Sequence, residues 1–274
     1  MLVDLHTHSN CSDGTLSPNE LLAEAAAKGI TLFAITDHDT LQAYNSGLTV
    51  PKDMTLIHGL EFSTTWNKIG VHIVGLNVAL DSPELLEGVA SQTRSRELRA
   101  EKIAEKLEKL GIENSLQGAR KYASGTYLGR PHFAQYLVEV GAAANINQAF
   151  KRYLGKGKPG DIKQHWAEMN QVIDWIKSSG GTAVLAHPLK YKLTLTRLKA
   201  LVDDFVALGG EALEVVSGLQ LPNETRMLAN LSSEKKLLAS SGSDFHTPEQ
   251  SWGGLACQPV LPQQCTPVWN FWLS

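Results

Sequence analysis

Residues 1–13 read Met-Leu-Val-Asp-Leu-His-Thr-His-Ser-Asn-Cys-Ser-Asp, and residues 241–246 read Ser-Gly-Ser-Asp-Phe-His. A short apolar run opens the first stretch and ends in His6 and His8. On a β-strand, residues i and i+2 share a face, so both imidazoles point the same way. Asp244 and His246 repeat that spacing at the far end of the chain. In a closed barrel the first and last strands are neighbours, and sites form where the strands end. Closure therefore brings together two pairs that the sequence separates by more than two hundred residues.

Working outward, short runs rich in Val, Ile and Leu recur at residues 1–5, 31–36, 55–62, 71–78, 182–186, 212–216 and 237–240. Strands covered on both faces have this composition. Helical patterns stand between many of them. Ser17, Pro18 and Glu20 form a helix start, with Ser17 as cap and Gly29 as stop. Further helices are expected over residues 166–178, 195–208 and 222–236. Such alternation predicts a parallel, barrel-like α/β fold. Residues 83–160 break the rhythm: helical patterns cover 83–110, 130–140 and 146–154, with no convincing strand. The expected organisation is a barrel from residues 1–82 and 161–274, carrying a helical insertion at 83–160.

With 274 residues, 43% of them hydrophobic, the chain can bury a sizeable core. A formal net charge of −3 is unlike that of a globally basic nucleic-acid binder. Cys11, Cys257 and Cys265 are scattered and odd in number, which fits a reducing cytoplasm better than a disulfide framework. No stretch has a signal peptide's pattern or approaches the length of a spanning helix.

Other predicted strand ends add ligand-type side chains. Asp37-His38-Asp39 follows the second strand, and Glu61 ends the third. His72 begins the fourth, and His187 ends the fifth. Asp13 lies in the loop after the first. Six of the nine histidines thus fall at strand ends, which favours a metal cluster over scattered structural histidines. Imidazole with carboxylate suits Zn²⁺, Mn²⁺ or Fe²⁺. His58, His132 and His165 read equally well as core or surface residues. Asp37 or Asp39 can orient a ligand imidazole, and Asp39 can equally cap a turn.

The ordered motifs H-x-H-x4-D, T-D-H-D, G-L-E-F-S, A-H-P and G-S-D-F-H resemble those of the PHP (polymerase and histidinol phosphatase) family. Each is weak alone, but five in order are specific. The resemblance covers about residues 1–80 and 166–251. Within the family, Tyr127-Leu128-Gly129-Arg130-Pro131-His132 and the Gly/Lys-rich residues 153–159 are similar to a subgroup that includes the 3′,5′-nucleotide bisphosphate phosphatases and a 5′-to-3′ exoribonuclease. Residues 160–162 and the C-terminal tail depart from it.

The resemblance implies a distorted (βα)7 TIM-like barrel. It also implies metal ligands at His6, His8, Asp13, His38, Glu61, His72, His187, Asp244 and His246. Three divalent ions are implied, with Mn²⁺ favoured over Zn²⁺ or Fe²⁺. Asp13, His38 and His246 are the expected catalytic set. Metal chemistry of this kind supplies hydroxide at neutral pH and neutralises charge on phosphoryl oxygens. The expected activity is hydrolysis of a nucleotide phosphorylated at both ends, or of short RNA from its 5′ end. A small-molecule phosphatase such as one acting on histidinol phosphate is the alternative, and a non-catalytic metal-binding module a third.

Phosphate recognition also needs fixed donors. Arg130 and His132 in the insertion, together with Arg99, are the candidate substrate-binding residues, so the insertion would act as a specificity cap. Arg96, Arg99 and Lys102 share a helix face, whereas Arg94, Lys106 and Lys109 read as a solvated face among glutamates. Lys151, Arg152, Lys156, Lys158 and Lys163 form a basic run that either follows a nucleic-acid backbone or is a solvated loop. Nothing in the residues points to duplex DNA, a membrane or an obligate protein partner.

Overall fold

The structure, a computed structural model, describes residues 1–123, 125, 127–163, 166–250 and 253–272. Seven strands form one sheet in sequence order: β1 (Val3–Asp4), β2 (Leu32–Ile35), β3 (Thr55–Trp66), β4 (Ile69–Leu76), β5 (Thr182–Leu185), β6 (Ala212–Ser217) and β7 (Leu238–Gly242). Hydrogen bonds from β1 to β7 close it. Leu5 N–H donates to Ser241 O at 3.0 Å, Asp244 N–H to His6 O at 2.8 Å and His8 N–H to Phe245 O at 2.8 Å. Gly242 permits this closure, because a Cβ there would fall on His6 Cβ.

The expectation of an all-parallel sheet needs correction. β4 runs antiparallel to both β3 and β5, and the other pairs are parallel. The cause is the connection: Asn67 and Lys68 alone join β3 to β4, at φ +46° and +67°. A two-residue turn with both residues left-handed joins only antiparallel strands. β3 therefore runs on to Trp66, four residues past the expected end. The reversal also places His72, near the start of β4, at the same mouth as the ends of β1, β2 and β7.

One face of the strands fills the barrel. Leu5, Leu32, Ala34, Ile57, Val74, Leu76, Val184 and Ala212 form an apolar cluster with Val268 and Trp269. These last two belong to a short 3₁₀ turn, Val268–Phe271, beside Val3 and Leu238. The C-terminal tail thus plugs the end opposite the histidines. Outside, α1 (Pro18–Ala27) covers Phe33 and Ile35 with Leu21, Leu22 and Ala25. Its capping box forms as expected.

Between β4 and α6 (Met169–Ser178) the elements among the described residues are all helical: α2 (Pro83–Glu108), α3 (Ser115–Arg120), α4 (Arg130–Glu139) and α5 (Ile146–Ala149), the last continued by a π-helical turn, Phe150–Leu154. They close an apolar cluster of their own, centred on Ile103, Leu107, Phe133, Leu137 and Leu154. α6 begins three residues later than expected. Trp166 is turned towards Arg96 instead, and His165 lies outside the described residues. α7 (Leu195–Ala207) and α8 (Pro222–Glu234) complete the outer layer. Among the described residues no helix is long and apolar enough to cross a membrane.

The first half of α2 packs on α6 through Gly88. A Cβ added there would lie 2.5 Å from the Trp175 ring. Alanine gains about 1 kcal/mol in helix propensity, but overpacking costs about 1–3 kcal/mol. The indole also packs against Phe62, 5.5 Å between centroids, so steric cost wins. Gly88→Ala should lower unfolding stability by about 1–2 kcal/mol in denaturant titration, and an unchanged midpoint would show that Trp175 has room to move.

Candidate metal centre

Each ligand-type side chain is aimed by the end of a strand. His6 and His8 extend from β1. Asp13 follows in a loop pinned by Asp37, whose carboxylate accepts from Ser9 N–H (2.7 Å), Ser9 Oγ–H (2.5 Å) and Ser12 Oγ–H (2.6 Å). His38 leaves β2 and bridges to Glu61 on β3. His72 on β4 stands opposite Ser63. His187 after β5 and Asp244 after β7 adopt left-handed backbones, φ +27° and +52°. Such conformations cost free energy in non-glycine residues and cluster where side chains must be aimed.

All nine expected side chains converge. Glu61 is the hub. Its Oε2 lies 3.3 Å from His6 Nε2, 3.3 Å from His8 Nε2 and 3.0 Å from His38 Nδ1. Its Oε1 lies 2.8 Å from both His72 Nδ1 and His187 Nε2. Asp244 Oδ1 lies 3.2 Å from His8 Nε2 and 3.5 Å from His6 Nε2. Asp13 meets His246 Nε2 at 3.3 Å and His38 Nε2 at 3.8 Å. Three overlapping groups result: His8, Asp13, His38 and His246; His6, His8, Glu61 and Asp244; and His38, Glu61 and His72.

The donor set fits divalent cations. Among the described residues, His6 Nε2, both ring nitrogens of His8, His38 Nδ1, Glu61 Oε2 and Asp13 Oδ1 are buried without a well-aligned hydrogen-bond partner. Buried polar atoms are almost always satisfied, so this concentration points to a partner of another kind. Burial alone would raise the Glu61 carboxylate, yet His72, His38 and His6 hold it well below the usual range. Asp13 and Asp244 are held low in the same way by neighbouring imidazoles. Burial lowers His8, but Asp244 and Glu61 overcome it and lift the ring to about 10. The carboxylates thus draw positive charge into the mouth, a pull that divalent ions answer.

Two contributors, Glu214 and Lys190, escaped the sequence reading, and a third, Tyr127, was read only as part of a subgroup motif. Glu214, buried in β6, accepts from the His187 N–H and lies 3.0 Å from His6 Nδ1. It fixes how His6 presents its other nitrogen. An acid inside Ala-Leu-Glu-Val-Val was the available signal. Lys190, on the turn after His187, donates to Asp244 Oδ2. Tyr127 stacks near His38, 6.2 Å between centroids, and meets His132 edge-on at 5.6 Å.

The expected role of Asp37 and Asp39 needs correction, since neither carboxylate has a hydrogen bond to an imidazole among the described contacts. Asp37 organises the first loop. Asp39 accepts from Ser63 N–H at 2.7 Å, Gln92 Nε2 at 3.0 Å and Arg96 Nε at 2.7 Å. Arg96, buried rather than solvated, lies over the rings of Tyr127 at 4.3 Å and Trp166 at 4.8 Å. This network fastens α2 to the mouth. His132 Nδ1 accepts from Gly129 N–H at 3.1 Å, which fixes the ring at the start of α4.

Arg99 and Arg130 are placed differently. Arg130 Nη1 donates to Leu154 O at 3.2 Å, its one hydrogen bond among the described residues. Arg99 Nε is buried without a partner among the described residues. Burial, then Arg130 and Arg96, press the Arg99 guanidinium down to about 9. Like charges held together in this way favour an anion. His58 stands away from the cluster, exposed beside Tyr44.

Comparison with known proteins agrees with this geometry. The family model described as PHP domain matches residues 4–182. A Haemophilus influenzae protein named 5′-3′ exoribonuclease is 42% identical over 269 residues, 97% of each chain. A Chromobacterium violaceum protein named 3′,5′-nucleoside bisphosphate phosphatase is 36% identical, covering 98% of this chain and 95% of its own. A solved Chromobacterium violaceum structure, described as an amidohydrolase with bound sulfate and no metal, superposes with a TM-score of 0.90 at 36% identity, over 99% of this chain and 95% of that one.

Proposed function

The chain belongs to the PHP-domain family and is a metal-dependent phosphoester hydrolase; from that premise we propose that it removes the 3′-phosphate of 3′,5′-bisphosphorylated nucleosides and shortens RNA from its 5′ end. The observation that carries this reading is the set of three overlapping ligand groups in one mouth. Arg99, whose buried Nε has no partner among the described residues, and Arg130 are the candidates to take a substrate's second phosphate.

The three groups suit three divalent ions, with Mn²⁺ favoured. When bound, such ions lower the pKa of water towards neutrality and neutralise phosphoryl charge. The side chains do the rest. Glu61 and Asp244 hold the buried side of the cluster. Asp13, His38 and His246 hold the side nearer solvent, where His246 is 21% exposed, and form the proposed catalytic set. Arg99 and Arg130 would grip the second phosphate and set its distance from the reacting one. Water's oxygen then bonds to phosphorus, the P–O ester bond breaks, and the departing ribose oxygen takes a proton.

In this reading residues 83–160 act as the specificity cap, fastened by the Asp39–Arg96 network. A small-molecule phosphatase would not use the two arginines. A non-catalytic metal module would need the imidazole nitrogens but not the arginines. Phosphate release with Mn²⁺ should be fast from a nucleoside 3′,5′-bisphosphate and slow from histidinol phosphate, and 5′-phosphorylated short RNA should be degraded. The opposite ranking would move the assignment to small monoesters.

A further inference from the structure

A second cationic site lies beyond the arginine pair. On the outer side of the π-helical turn, Lys151, Arg152, Tyr153 and Lys158 line an open cavity of about 640 Å³ with Leu110 at its edge. Residues 151–163 carry five cations against one acid, a local charge of +4 on a chain whose net charge is −3. Concentrating positive charge against the chain's own sign serves an anionic partner. Asp161, the one acid, is engaged with Gly157 N–H at 2.7 Å. No salt bridge to Lys151, Arg152 or Lys158 occurs among the described residues.

The site connects to the mouth. The turn that carries Lys151 and Arg152 also supplies Leu154 O, which accepts from Arg130. The Arg130 guanidinium lies 6.0 Å from the Phe150 ring of the same turn. Positive charge therefore continues from Arg99 through Arg130 to the cavity. Arg96, at the mouth, and Leu110, at the cavity edge, are fourteen residues apart along α2 and its end. At 1.5 Å per residue this is roughly 20 Å. Stacked single strands place a phosphate about every 3.4 Å, so roughly six nucleotides span the interval.

We propose that this cavity binds the backbone of single-stranded RNA downstream of a 5′ end held at the metal centre. Tyr153 adds an aromatic wall beside the cations, the combination that sequence-tolerant single-strand binders use. The proposal rests on the phosphoesterase reading and adds to it a basis for telling long RNA from a mononucleotide. A bisphosphorylated nucleoside is too short to reach the cavity.

The test is a Lys151→Ala/Lys158→Ala variant of the full chain. Both lysines are exposed, so the fold should be kept, and circular dichroism checks this. Binding of a fluorescent ten-nucleotide RNA is measured by anisotropy with EDTA present, so that it does not depend on turnover. Hydrolysis of a nucleoside 3′,5′-bisphosphate, a dinucleotide and the ten-mer is measured with Mn²⁺. The variant should bind the ten-mer about tenfold more weakly, with a salt slope shallower by about 1.4 for two lost phosphate contacts. Its kcat/KM should fall on the ten-mer alone. Unchanged RNA binding, or equal losses on all three substrates, would overturn the proposal. If the wild type hydrolyses the bisphosphate but does not bind the ten-mer, the cavity proposal fails and the phosphoesterase reading stands. If it binds the ten-mer through these lysines but hydrolyses nothing, the reverse holds.

Discussion

Glu61→Gln should lower hydrolysis by at least about a thousand-fold, roughly 4 kcal/mol of transition-state stabilisation. Among the described residues no other side chain reaches as many partners in the mouth: five imidazoles lie within 3.3 Å of its two oxygens. The change is nearly isosteric, so packing is preserved and chemistry is isolated. An amide keeps one acceptor and turns an NH₂ towards nitrogens that must themselves face a cation. It also removes the charge that draws cations to two of the three ligand groups. Elemental analysis of protein grown with added Mn²⁺ should find more than one metal per wild-type chain and fewer in the variant. A single ion in the wild type, with no further site filled on titration, would count against the cluster. Variant activity within tenfold of wild type at saturating metal would show that Glu61 is not a shared ligand.

The legibility of this centre follows the physics of each residue. Ligands at strand ends were readable because a strand's two-residue period makes His6 with His8, and Asp244 with His246, share a face. Barrel closure could be inferred from the same pairs. His72 was readable as a candidate from its place at a strand end, but a parallel strand would have put it at the wrong end of the barrel, and only the reversal of β4 brings it to the mouth. The Asn67–Lys68 turn that reverses β4 lacks the Asn-Gly signature of its type. Glu214 was flagged only by being an acid in an apolar strand, and Lys190 by nothing local; both acquire their roles only when His6 and Asp244 arrive beside them. Arg96 shows the opposite failure. Its helix face is charged, and only the long-range contact with Asp39 and the two aromatic rings buries it.

Arg130→Ala should lower kcat/KM for a nucleoside 3′,5′-bisphosphate by about ten- to a hundred-fold, or about 1.5–3 kcal/mol for a charged hydrogen bond to phosphate. An aryl phosphate, with no second phosphate to grip, should be hydrolysed as by wild type. Two effects of the substitution on the free protein oppose each other. Losing the Arg130–Leu154 hydrogen bond costs about 0.5–1.5 kcal/mol. Removing a guanidinium from beside Arg99 relieves a repulsion that, with burial, holds Arg99 down to about 9. Unfolding stability should therefore change little while selectivity collapses, a combination that a structural role would not produce. Inorganic phosphate should raise the Tm of the wild type more than that of the variant, because the anion neutralises the crowded pair only where the pair exists. Equal losses on both substrates would place Arg130 against the reacting phosphate or in support of the fold. Unchanged values on both would leave the arginine pair without a ligand, and the insertion without its main claim to set substrate choice.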